Sequence, residues 1–184
     1  MSDRPSKALS FWQPWADLVL PVEPEGPVPK WIETRPQPPA GGDFRAPAGG
    51  RYYSGCALRM GERFLVHAAK RRIDRDGAVV ARAAGRLGPF HFMAVIGEAQ
   101  LVNAVPMVTR PSPRRDALVL ADDGRRLVLV QHSGDGVDEQ DVTDQLPFGF
   151  FAPGRWAWLL ADPVRYERAL QVPGRQGVFR VHPG

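Results

Sequence analysis

Apolar and polar positions alternate in short runs along this chain, and prolines and glycines cut the runs apart. Ala8-Leu9-Ser10-Phe11 reads as a short strand. Pro14 stands where a helix can start, because a first-turn residue needs no N–H donor and proline's φ is already helical. Trp15, Leu18 and Val19 follow at helical spacing. Pro21–Pro29 holds four prolines and a glycine and reads as a loop. Arg35 precedes Pro36 and is pushed toward an extended backbone, so Lys30–Arg35 predicts a turn entering a strand near Glu33. Residues 36–61 are rich in Gly and Pro and predict a long surface loop.

Phe64–Ala69 is a strand candidate. Asp74 is placed to cap a helix running to about Ala84, with Val79 and Val80 inward and arginines outward. Phe92–Val105 is the most strand-like run. Ala117–Gln131 predicts a hairpin, with Asp122-Asp123-Gly124 supplying the turn between two aliphatic runs. Ser133–Asp144 is acidic and polar and reads as a loop. Arg155–Leu160 and Gly177–Val181 predict two more strands, with a short helical turn at Pro163–Leu170 between them. Five to seven short strands with two or three short helices suit a small α+β barrel better than an alternating parallel sheet.

Length and composition narrow this picture. A chain of 184 residues fits one domain, 1–184, with loop insertions near 36–61 and 106–145. Such a chain buries about 70% of its unfolded surface and needs no staple. Cys56 is the lone cysteine, and His67, His91, His132 and His182 are scattered, so neither a disulfide nor a metal or other cofactor is expected. A reduced, cytoplasmic setting follows. Met1–Lys7 is polar and no apolar core follows it, so a secretory leader is not expected; no apolar run is long enough to span a membrane. The formal net charge of +4 and a pI of about 9.7 are compatible with a polyanionic partner. Of 24 basic residues only Lys7, Lys30 and Lys70 are lysines. Against that arginine-rich background, two of the three fall within the motifs below.

Five blocks in order resemble the ASCH domain of the PUA-like superfamily. Leu9-Ser10-Phe11-Trp12-Gln13-Pro14-Trp15-Ala16 resembles its opening Leu-Ser-x-x-Gln-Pro-Trp-Ala. Lys30-Trp31-Ile32-Glu33-Thr34-Arg35 resembles the Gly-x-Lys-x-x-Glu-x-Arg signature, with Val28 in place of the glycine. Phe64–Lys70 is similar to the strand ending in His-Ala-x-Lys, and Val95–Val102 to the strand after it. Trp156–Leu160, Pro163 and Gly174–Phe179 are similar to the closing strands. The resemblance implies a PUA-like β-barrel with two or three short helices and a cleft beside the first helix. It implies RNA or a modified nucleotide as ligand, with RNA cleavage or hydrolysis of an acylated cytidine as activities of some relatives.

Lys30, Glu33 and Arg35 carry the candidate site. Residues three apart share a helical face and residues two apart share a strand face, so a turn entering a strand gathers all three with a net charge of +1. That suits a phosphate; the alternative is a surface ion pair worth about 0–1 kcal/mol. Glu98, midway along an apolar strand, is a candidate general base if it approaches Lys30, which would then stabilise an oxyanion. The acyl-cytidine hydrolases carry Thr where Glu33 stands, and Thr34 is one position off, which weighs against that hydrolysis. Trp12 and Gln13 are candidates for stacking and for reading a base edge. Trp15 is spaced to pack inward. His67 is a core or cleft-wall group, and Lys70 with Arg71 and Arg72 could meet phosphates or form a solvated face. Tyr52 and Tyr53 could cover a base. A binding module for RNA or a nucleotide, a metal-independent ribonuclease or nucleoside amidohydrolase with Lys30, Glu33 and Glu98 as its catalytic residues, and a protein-interaction domain all remain open.

Overall fold

The structure, a computed structural model, describes residues 7–21, 30–36, 58–70, 73–86, 88–113, 115–133, 136–175 and 177–181. In chain order it contains β1 (Lys7–Phe11), α1 (Trp15–Leu18), β2 (Ile32–Arg35), β3 (Arg63–Ala68), α2 (Arg75–Ala83) and β4 (Ala94–Val108). There follow β5 (Ala117–Leu120), β6 (Leu127–Ser133), β7 (Gly136–Asp141), a 3-10 helix (Thr143–Phe148), β8 (Trp156–Gln171) and β9 (Val178–Arg180). Among the described residues this makes an α+β chain around one mixed sheet.

The sheet is organised by two long antiparallel strands, β4 and β8, paired from Ala94↔Gln171 to Pro106↔Trp156. Beyond β4 lie β3, then β1 in parallel with β3, then β9; beyond β8 lies β2. The far end of β4 pairs in parallel with β5, which continues into β6 and β7. The sheet is open, with β9, β2 and β7 at its edges. Register shifts along the β4–β8 pair bend both strands, as bulges do. That curvature brings β2 near β1, and Arg35 Nη2 donates to the Ser10 carbonyl at 3.0 Å across the gap.

One face of the sheet buries the main core, including Leu9, Phe11, Phe64, Val66, Ile96 and Trp158. The opposite face carries a smaller cluster of Ala8, Leu65, Val95 and Phe179. A third cluster under β2, β5 and β6 includes Ile32, Met107, Leu118 and Leu159. The alternation of strand side chains explains the division: Phe64, Val66 and Ala68 point one way, Leu65 and His67 the other. Gly97 lets the end of α1 sit on the sheet, since a Cβ there would run into the Val164 carbonyl and lie 2.7 Å from Leu20 Cδ1.

Three expectations need correction. Ser133–Asp144 is not a loop: β7 occupies Gly136–Asp141 and pairs with β6 from Val128↔Asp141 to Ser133↔Gly136. All six of its residues are exposed, so it has no apolar face to read, and Asp138, Glu139 and Asp141 suit a charged edge strand. Pro163–Leu170 is not helical: β8 continues through it on the ladder with β4. Its proline falls at a register shift, between Gln100↔Ala161 and Glu98↔Val164, where no ladder donor is required. In α2, capped by Asp74 accepting from Gly77 N at 2.8 Å, the buried residues are Gly77 and Ala81, and Val79 is 64% exposed. The small face turns inward because Gly77 lies close against Pro14, with room for no side chain.

Candidate functional site

The site begins where the chain enters β2. Lys30 N donates to Leu18 O, tying the entry to the end of α1, and Trp31 N donates to Gln145 Oε1 in the 3-10 helix. β2 then pairs with β8, placing Glu33 opposite Trp158 and Arg35 opposite Trp156. Glu33 and Arg35 point to the same face, and Lys30 reaches them from the segment just before the strand. Lys30 Nζ lies 3.0 Å from Glu33 Oε2, and Arg35 Nε lies 3.0 Å from Glu33 Oε1. The second contact is too bent for a hydrogen bond and acts as a charge contact.

The three side chains sit at different depths. Lys30 is 2% exposed, Glu33 13% and Arg35 19%. Lys30 Nζ also donates to the Phe148 carbonyl at 2.5 Å and lies 5.7 Å from the centre of the Trp15 ring. Its ammonium is thus surrounded by a carboxylate, a carbonyl and an indole face. Arg35 is flanked by Phe11 at 5.3 Å and Trp158 at 6.0 Å. A further cation joins them. Arg155, just before β8, donates from Nη2 to Thr34 O at 3.1 Å and lies over the Phe150 ring at 5.2 Å.

Burial lowers the Lys30 pKa from its ordinary value; the Glu33 carboxylate opposes that and Arg35 adds to it. For Glu33, burial works to raise the pKa, but Lys30, Arg35 and Arg155 together outweigh it and hold the carboxyl below its ordinary range. Two arginines and one lysine thus surround one carboxylate, one cation more than the motif alone supplies.

The remaining sequence candidates lie elsewhere. Glu98 accepts from Arg63 Nε at 2.8 Å and Tyr166 Oη at 2.7 Å. Its cross-strand neighbour is Leu65 of the small cluster, so it occupies the face opposite Lys30's aromatic neighbours. Gln13 is buried: its Nε2 donates to Asp17 Oδ2 and to His91 O, and its Oε1 accepts from Asp17 N. Asp17 is held in turn by Arg165 at 2.7 Å, so both ends of the Gln13 amide are used in anchoring α1. Trp12 is 53% exposed, and Trp15 is half-buried against the main core.

His67 lies on the Glu98 face, buried, with Nδ1 3.0 Å from Ser10 Oγ and Nε2 3.0 Å from Val172 O. Its ring meets Phe179 edge-on, and Gly174 packs so closely over it that a Cβ would collide with Cε1. Burial lowers its pKa, partly offset by the bond to Val172. Lys70 is exposed, while Arg71, Arg72, Tyr52 and Tyr53 lie outside the described residues.

Sequence reasoning missed Arg155, Phe148 and Phe150. Arg155 was legible only as the residue opening a strand, and its place beside Glu33 follows from the β2–β8 register. Among the described residues no three His, Cys, Asp or Glu side chains form a potential metal site, and no helix is long and apolar enough to cross a membrane. No family model matches the chain, and no curated protein matches it.

Proposed function

We propose that this chain is a cytoplasmic ASCH-type module that binds single-stranded RNA or a nucleotide against the surface formed by Arg35, Glu33 and Arg155. The observation that carries the reading is the collection of three cations on one carboxylate, framed by Phe11, Trp15 and Trp158. The motif order and the curvature that lets Arg35 bridge β2 to β1 support a PUA-like barrel as its frame.

The depths assign the roles. Lys30 is below the surface and fixes Glu33; Glu33 orients Arg35; the two guanidiniums are the groups a phosphate meets. Guanidinium is suited to that task because it presents several N–H donors in one plane. Hydrolysis, the other activity implied by the resemblance, would use Glu98 as a general base beside Lys30, but Glu98 accepts from Arg63 and Tyr166 on the other face of the sheet. Binding is therefore the reading advanced.

The test is fluorescence anisotropy of a labelled eight-nucleotide RNA at several salt concentrations, with wild type and Arg35→Gln. Each phosphate neutralised contributes about 0.7 to the log–log salt slope on single strands. The expected outcome is a steep slope in wild type and a slope shallower by about one phosphate in the variant. Affinity that is flat in salt, or an Arg35→Gln slope equal to wild type in a folded protein, would overturn the reading.

A further inference from the structure

Phe150 is the most exposed large apolar side chain among the described residues, at 69%. Its exposure does not come from a loosely held segment. Phe148 O, two residues earlier, receives the Lys30 ammonium. Gly149 is wedged between neighbours: a Cβ there would lie 2.9 Å from the Phe151 ring and 3.1 Å from the Thr34 methyl. Phe151 packs against the cluster under β2, β5 and β6. Arg155 closes the bracket, its Nη2 on Thr34 O and its guanidinium 5.2 Å from the Phe150 ring centre. The ring is thus supported by a cation and by an anchored backbone, while most of its surface meets solvent.

Resting on the binding reading above, we infer that Phe150 and Arg155 form a second stacking step. It receives the base adjacent to the nucleotide held at Arg35 and Glu33, so the ligand is a strand of at least two nucleotides and not a lone nucleoside. Every base offers a π-face to an aromatic ring, so such a step is tolerant of sequence. Arg155 serves both parts of the ligand. Its positive charge acts on Glu33 at the first position, and its contact with Phe150 places the same charge beside the linking phosphate. Thr34 O fixes the spacing, because the strand that carries Glu33 also holds the Arg155 guanidinium.

The experiment compares AMP, the dinucleotide ApA and an eight-nucleotide oligoadenylate as ligands for wild type, Phe150→Ala and Phe150→Trp, by calorimetry. Thermal melts check the fold, which an exposed side chain is not expected to disturb. Wild type should bind ApA and the longer strand more tightly than AMP. Phe150→Ala should lose about tenfold on ApA and on the longer strand and leave AMP unchanged, and Phe150→Trp should restore the difference. Equal losses on AMP and ApA, or no loss on either, would overturn the stacking step while leaving the Arg35 site standing. Altered self-association without altered oligonucleotide affinity would assign the ring to a protein contact and overturn it too. Failure of wild type to bind any of the three would remove the binding reading itself.

Discussion

Two acids on opposite faces of one sheet show how differently the chain handles charge. Glu98 meets one guanidinium, from Arg63, and one phenol, from Tyr166, and the group is electrically balanced. Glu33 is shared by Lys30 and Arg35 and lies in the field of Arg155, so three basic side chains gather about one acid. The environments differ in the same sense. Arg63 is 33% exposed and can lean on solvent, whereas Lys30 is 2% exposed and cannot. Removing an ammonium from water costs several kcal/mol, and the lowered Lys30 pKa shows that Glu33 does not fully offset that cost. The balanced group can serve as a structural tie. The other gathers cations and aromatic rings around a buried acid, the arrangement on which the proposed binding role rests.

The sharpest way to break this contrast is to neutralise each acid without changing its size. Glu33→Gln leaves Lys30 buried with no counter-charge and should cost about 3–5 kcal/mol of stability, the range for breaking one side of a buried pair. Glu98→Gln keeps an acceptor for Tyr166 and weakens only a partly exposed ion pair, so about 1 kcal/mol or less is expected. Urea unfolding of both variants beside wild type measures the difference. Comparable losses would mean that the two acids play the same role, and the gathering of cations at Glu33 would lose its significance.

The triad was legible in the sequence because its geometry is local. Lys30, Glu33 and Arg35 lie within six consecutive residues at the entry to one strand, and Pro36 indicates that the last step is extended. The Asp74 cap and the short helix after Pro14 were legible for the same reason. What escaped depends on partners distant in the chain. Arg155 and Phe148 reach the site through the β2–β8 pairing and the 3-10 helix, and no local periodicity encodes either. Glu98 was ambiguous because alternation says only that it differs from its neighbours; the choice of face depends on the irregular register between β3 and β4 near Val66 and His67. Gln13 looked available because its motif position suggested a base contact, yet Asp17, one helical turn on, takes the amide. In β8, a proline followed by charged residues mimicked a helical turn until the long ladder with β4 overrode it.

The two faces should also come apart in acid, at different pH. His67 has its pKa lowered by burial, so in the folded chain it takes up a proton less readily than in the unfolded chain, whose value is near 6.5. Its contribution to stability is complete above that value and is lost as pH falls through the lower folded one. Glu33 follows the same sign from a lower start: its contribution is complete above the ordinary 4.5 and is lost as pH falls through its depressed folded value. Acidification should therefore loosen the Ser10–His67–Val172 tie first and the Lys30–Glu33–Arg35 group afterwards. Urea unfolding at intervals from pH 8 to pH 4 would show the first loss beginning below 6.5. His67→Gln, which can still donate a hydrogen bond but cannot titrate, should flatten the upper part of that curve and leave the part below 4.5 intact. If the variant and wild type run parallel between those two values, the buried imidazole is not what makes the face acid-sensitive. If Glu33→Gln removes the upper step instead of the lower one, the assignment of the two stages to the two faces is reversed.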